Sequence, residues 1–210
     1  MHTEPIDYDR PMYERAREHA GDTDERLFED YFDAQMDMLT QLRPLVIGHF
    51  DLIRLKSDDP ERSFRQWPGV WSRILRNLDY IATYGGMLEL NSAALRKGMS
   101  EPYPNGEICR VSFVFFLFLF SFSDKDEADI FLQEFLARGG RFCLSDDSHG
   151  VDQVGLNFHR VLAFVEQVGI STLHYLQLSD GASGADSRFP RTQIASIGVE
   201  ETKKLGALAS

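Results

Sequence analysis

Three short apolar runs in this chain each end in side chains able to bind a metal or a phosphate. His49 and Asp51 close VIGHFD, Glu89 and Asn91 close MLELN, and Asp146, Asp147 and His149 close RFCLSDDSH. Imidazole nitrogens and carboxylate oxygens are ordinary ligands of first-row divalent ions. Asp147 and His149 are two residues apart, so in an extended chain they point to one side and can share an ion. Arg54 and Arg96 follow His49 and Glu89 by five and seven residues. Guanidinium forks in those loops would bind a phosphate with paired hydrogen bonds.

Each residue also has a plainer reading. A DxH pair is also what a polar loop at a strand end looks like. A single histidine such as His49 is commonly a core residue bonded to backbone, Glu89 and Asn91 could be turn or capping residues, and arginines by default solvate a surface. What favours chemistry is the coincidence of three such ends. In parallel α/β folds, groups at the carboxyl ends of strands converge in space although far apart in sequence.

The elements needed to position these groups are legible. Apolar spacing from Asp22 to Leu42 predicts an amphipathic helix capped by Asp22 or Thr23 and stopped by Pro44. Residues 45–50 read as a short buried strand, 71–84 as a helix ended by Gly85 and Gly86, and 86–91 as a second strand. A helix over 130–137, a strand from Arg141 and a helix over 155–168 complete an alternation that predicts an α/β fold. From Ser179 onward the Ser, Gly and Ala content predicts a flexible tail over 179–210.

Composition narrows the function classes. The 210 residues carry 33 acidic against 22 basic side chains, a net charge of −11, which opposes a nucleic-acid surface and an exonuclease reading. Two cysteines, Cys109 and Cys143, with no CxxC and no signal-peptide pattern, predict a reduced, cytoplasmic protein. The Phe-rich run 111–122 is uncharged, but twelve residues fall short of the roughly 20 needed to span a bilayer. Ser145 has no His–Asp arrangement to make it a nucleophile, and His2, His19, His159 and His174 have no partner spacing.

Five stretches together resemble the histidinol-phosphatase branch of the polymerase and histidinol phosphatase (PHP) family, particularly its fungal members. They are PIDYD at 5–9, YFDAQMDML at 31–39, VIGHFDLIRL at 46–55, LELNSAALRKGMSEPYP at 88–104 and LSDDSHGVDQVG at 144–155. The resemblance implies that residues 1–178 are the C-terminal portion of a distorted seven-stranded, TIM-like β/α barrel. It implies hydrolysis of L-histidinol phosphate, a small phosphate monoester, in histidine biosynthesis, with no nucleic-acid or membrane partner.

It further implies divalent metal ions (Zn, Mn or Fe, two or three in the complete site) held in part by His49, Asp147 and His149. Asp147 and His149 would be catalytic, with His149 holding metal or protonating the leaving alkoxide, and Arg54, Arg96, Glu89 and Asn91 would bind substrate or phosphate. Two departures stand out. The family's opening HxH motif and further ligands have no counterpart here, so an N-terminally truncated, inactive fragment is the competing expectation. Residues 111–122 sit where the family passes almost directly from an EICR-like segment into FLARGGRF, which reads as an insertion.

Overall fold

The computed structural model describes residues 4–109, 140–179 and 191–208. The run at 111–122, the helix expected over 130–137 and most of the Ser/Gly-rich stretch lie outside them. Two helices open the chain. In α1 (Arg10–His19), Asp9 accepts from the Met12 amide and a proline occupies the first turn. In α2 (Asp24–Leu42), Thr23 is the cap, accepting from Arg26, and Arg43 closes the helix in the left-handed region. The expected helix over residues 22–42 is therefore present, with Thr23 rather than Asp22 as its cap.

Strand β1 (Val46–Ile47) is shorter than the expected 45–50, because His49 adopts a left-handed φ of +54°, which no strand residue can hold. A 3₁₀ turn over Leu52–Lys56 follows, then α3 (Pro68–Tyr84), which starts three residues earlier than expected because Pro68 fits the first helical position. Gly85, at φ +73°, ends α3 in a conformation that disfavours other residues. Strand β2 (Met87–Asn91) is buried along its whole length. Short helices α4 (Ala93–Arg96) and α5 (Gly106–Cys109) follow, then β3 (Arg141–Ser145) and α6 (Phe158–Gln167).

Strands β1, β2 and β3 form a parallel sheet in that order, with Ile47 beside Leu88 and Asn91 beside Ser145. The fold is mixed α/β with a parallel sheet, and the described residues do not close into a barrel. The parallel register aligns the carboxyl ends of all three strands, which brings the loops at 48–51, 91–92 and 146–149 to one edge.

One expectation is overturned at the C-terminus. Within the predicted flexible tail 179–210, residues Thr192–Gly198 form β5, antiparallel to β4 (Thr172–Leu178) from Leu178↔Thr192 to Thr172↔Gly198. Helix α7 (Val199–Leu208) then buries Val199 against the core. The ladder of backbone bonds with β4 supplies the order that the weakly apolar sequence TQIASIG does not advertise.

The core between α2, α3 and the sheet holds Phe28, Phe32, Phe50, Phe64, Ile74, Ile81, Leu88 and Leu90. Phe32 meets Phe50 at 5.8 Å and Phe64 at 6.1 Å between ring centres. Each fully buried side chain of this size contributes roughly 1.5–3 kcal/mol. Phe50 thus anchors the residue next to His49. No helix among the described residues is long and apolar enough to cross a membrane.

At the edge of this core, Asp58 is bonded by both Arg10 and Arg17, and its amide donates to Asp24, tying α1 and α2 to the end of the 3₁₀ turn. The Arg10 hydrogen bond holds the Asp58 carboxyl below its usual range. A depressed carboxylate pKa stabilises the fold above the unfolded-state value, and that contribution is lost as pH falls through the folded-state pKa. Asp58→Asn is therefore expected to flatten the loss of stability below about pH 4. Urea unfolding of both proteins at pH 6 and pH 3 measures it; equal acid sensitivity would refute the assignment.

Candidate active site

His49 and Asp147 come together from the ends of β1 and β3. His49 Nε2 lies 3.5 Å from Asp147 Oδ2, and His49 Nδ1 lies 3.5 Å from Glu89 Oε2 on the intervening strand. These separations exceed a hydrogen bond. Two ligands each about 2.0–2.1 Å from a tetrahedral ion are separated by roughly 3.4 Å, so the His49–Asp147 pair has the spacing of two donors sharing one ion. Both residues adopt left-handed backbone conformations, φ +54° at His49 and +50° at Asp147. Such conformations in non-glycine residues cost energy and concentrate at functional positions.

Glu89 fixes His49 as well as facing it. Its Oε2 accepts the His49 amide at 2.9 Å. The approach is possible because Gly48 has no side chain: a Cβ there would lie 3.1 Å from the same oxygen. Gly48→Ala is expected to cost roughly 1 kcal/mol by overpacking and to push Glu89 off the His49 amide. Hydrogen exchange at that amide should accelerate, and unchanged protection would show that the glycine is not needed there. Of the substrate or phosphate role expected of Glu89, an acceptor-only carboxylate suits a cationic part of a substrate better than a phosphate.

The loop after β3 is built around its own backbone. Asp146 accepts the Ser148 and Gly155 amides, and these bonds hold its carboxyl low against a burial that pushes the other way. The Asp147 carbonyl accepts from His149 Nδ1 at 2.8 Å and from Arg96 at 3.2 Å. A carbonyl only accepts, so Nδ1 of His149 carries a proton and Nε2 is the ring nitrogen left for a ligand or for proton transfer. That is the arrangement a metal-ligating or proton-transferring histidine needs, with its second nitrogen pinned. His149 is exposed, and its amide donates to Gln153, which also bonds Arg96.

The expected residues therefore separate. His49, Glu89 and Asp147 are brought together, while Arg96, at the end of α4, reaches the adjoining loop that carries His149. Among the described residues no three His, Cys, Asp or Glu side chains converge at metal-binding spacing, so His149 does not join the His49–Asp147 pair around one point. The His49–Asp147 pair supplies two donors, fewer than the three or four protein ligands usual for a bound divalent ion.

Arg54 requires correction. It is 1% exposed and its guanidinium is spent internally, on Asp51 at 2.9 Å and on the carbonyls of Pro60, Glu101 and Pro102. A phosphate clamp needs a fork facing solvent. Arg54 instead joins the turn after His49 to the 101–105 loop, where Asp51 also accepts the Asn105 amide. Asn91 is likewise fully buried, its Oδ1 held by the Ala93 amide, and offers no face to a substrate.

Two curated proteins are similar to the chain. The chain is 35% identical over 181 residues to the probable histidinol-phosphatase of Schizosaccharomyces pombe, covering 86% of this chain and 52% of that protein. It is 32% identical over 192 residues to the histidinol-phosphatase of Saccharomyces cerevisiae, covering 82% and 50%. By sequence, the chain is similar to these fungal histidinol-phosphatases over most of its own length. It spans about half the length of the curated relatives it matches. No family model matches the chain.

Alongside these histidinol-phosphatase relatives, several contributors stand out that spacing alone did not reveal. Tyr103 is fully buried, its ring 6.1 Å from that of His49 and 5.4 Å from the Arg54 guanidinium. Gln153 links His149 to Arg96, and Tyr31 bonds the His49 carbonyl. The only sequence signal for Tyr103 was its place in EPYP, downstream of Arg96. Cys143, lining a cavity of about 380 Å³ with Glu89, Ser145 and His174, is no thiolate nucleophile: burial and then Glu89 push its thiol up to about 12.

Proposed function

We propose that this chain hydrolyses L-histidinol phosphate to L-histidinol and phosphate, as a metal-dependent step of histidine biosynthesis in the cytoplasm. The observation that carries the reading is the approach of His49 to Asp147 at ligand-sharing distance, in a chain related to two histidinol-phosphatases. The aligned carboxyl ends of β1, β2 and β3 are the arrangement a distorted β/α barrel of the PHP type would use.

In this reading His49 and Asp147 hold a divalent ion (Zn, Mn or Fe), and His149 holds a further ion or acts as an acid. Such an ion supplies a Lewis acid that draws charge from phosphoryl oxygens and acidifies a water. Water oxygen bonds to phosphorus as the bond from phosphorus to the ester oxygen breaks. The leaving alkoxide takes its proton from His149, which must be protonated at Nε2 for that step. Arg96, at the end of α4 and fixed by Gln153 and the Asp147 carbonyl, brings a positive charge beside the transferring group. Glu89 is suited to the substrate's ammonium group.

Hydrolysis in ¹⁸O-labelled water tests the chemistry. The proposal requires label in the released phosphate and none in histidinol, and a rate abolished by chelator and restored by Mn²⁺ or Zn²⁺. Label in the alcohol, or indifference to chelator, would overturn it.

A further inference from the structure

The left-handed backbone at His49 is sustained by contacts from α2 that lie outside the expected set of site residues. Tyr31 donates its hydroxyl to the His49 carbonyl at 2.8 Å. One helical turn later, Gln35 donates to the next carbonyl, that of Phe50, at 3.0 Å. Residues i and i+4 lie on one face of a helix, so α2 presents a two-pronged rail to two consecutive peptide units. Gln35 is itself oriented by Asn77 of α3, whose amide nitrogen donates to Gln35 Oε1 at 3.1 Å and to the Phe32 carbonyl at 2.8 Å. Gln35 and Asn77 are both buried, so these bonds are made away from competing water.

The other member of the pair is treated alike. Asp147 is also left-handed, and its carbonyl also takes two donors, His149 Nδ1 and Arg96. The His49 carbonyl takes Tyr31 and, at 3.1 Å, the Leu52 amide. In both residues the left-handed φ is accompanied by two donors on the residue's own carbonyl.

We infer that Tyr31, backed by Gln35 and Asn77, is a positioning residue that sets the imidazole of His49 against Asp147. The inference rests on the reading of His49 as a metal ligand only for its functional consequence; the placement itself is tested independently. Tyr31→Phe removes one hydroxyl and leaves the ring packing. Tyr80→Phe is the control, since Tyr80 accepts a hydrogen bond from Arg43 on the protein surface, away from the pair.

The 210-residue chain is prepared with ¹³C-labelled histidine in wild-type, Tyr31→Phe and Tyr80→Phe forms, with the His49 ring signal identified by its loss in His49→Gln. Tyr31→Phe is expected to shift or broaden that signal and to weaken Mn²⁺ binding about tenfold or more. Its thermal midpoint should fall no further than that of Tyr80→Phe, whose His49 signal and Mn²⁺ affinity stay as in wild type. An unchanged His49 signal in Tyr31→Phe overturns the inference. If wild type binds no Mn²⁺, the metal reading fails by itself, and the ring signal still decides whether Tyr31 positions His49.

Discussion

Replacing Arg54 by methionine is expected to lower the free energy of unfolding by about 3–5 kcal/mol, the usual cost of stranding one partner of a buried ion pair. Asp51 is fully buried and its Oδ2 accepts both Arg54 and the Asn105 amide. Burial pushes that carboxyl up, and Arg54 is the main influence pulling it back. Without Arg54, Asp51 is left as a buried charge or takes a proton, and the carbonyls of Pro60, Glu101 and Pro102 lose their donor. Asp51→Asn combined with Arg54→Met should recover a substantial part of the loss, because no unpaired charge is then buried. Urea unfolding of the two proteins measures both numbers. A single variant within about 1 kcal/mol of wild type would mean that the pair is solvated like a surface bridge.

The second large effect concerns the His49–Asp147 pair. His49→Gln and Asp147→Asn should each weaken Mn²⁺ or Zn²⁺ binding by more than about 100-fold, beyond the range reached by removing a supporting residue. Asp147→Asn keeps the shape and removes the charge, so its loss would be electrostatic. Residues that act as a unit are non-additive, so the double variant should bind little worse than either single one. Titration calorimetry on the three proteins provides the comparison. Independent, additive losses would show two separate sites rather than a shared one.

Strand ends proved the most legible feature of this sequence. VIG, MLELN and RFCLS are short apolar runs that lead into the three groups of polar residues, and the structure aligns them as β1, β2 and β3 in parallel. Both α2 and α3 announced themselves by spacing, and both carry buried stripes, from Leu27 to Leu39 and from Val70 to Ile81. Helix α1 did not, because RPMYERAREH buries only Tyr13 and Ala16 and takes its stability from the Asp9 cap and the Asp58 clasp. Strand β5 was hidden for a related reason. Its register comes from β4, a partner separated from it in sequence, and not from its own pattern.

Within the site, sequence separated chemistry from architecture least well for the arginines. Arg54 and Arg96 follow strand ends at similar spacing, yet one is buried with Asp51 and the other reaches from the end of α4 to the His149 loop. Only the third dimension decides this, because Asp51 and the 101–105 loop are what turn Arg54 inward. Tyr31 was equally invisible. Its role depends on a left-handed peptide eighteen residues away, a conformation that the histidine at 49 does not by itself announce.

The most direct test of the account is steady-state phosphate release from L-histidinol phosphate by the purified 210-residue chain with Mn²⁺ or Zn²⁺, beside Asp147→Asn and His49→Gln. The account predicts release by the wild-type chain that is chelator-sensitive and falls by more than about 100-fold in both variants, as expected for loss of a ligand rather than a support. A folded wild-type chain that releases no phosphate, or variants that match it, would contradict the account.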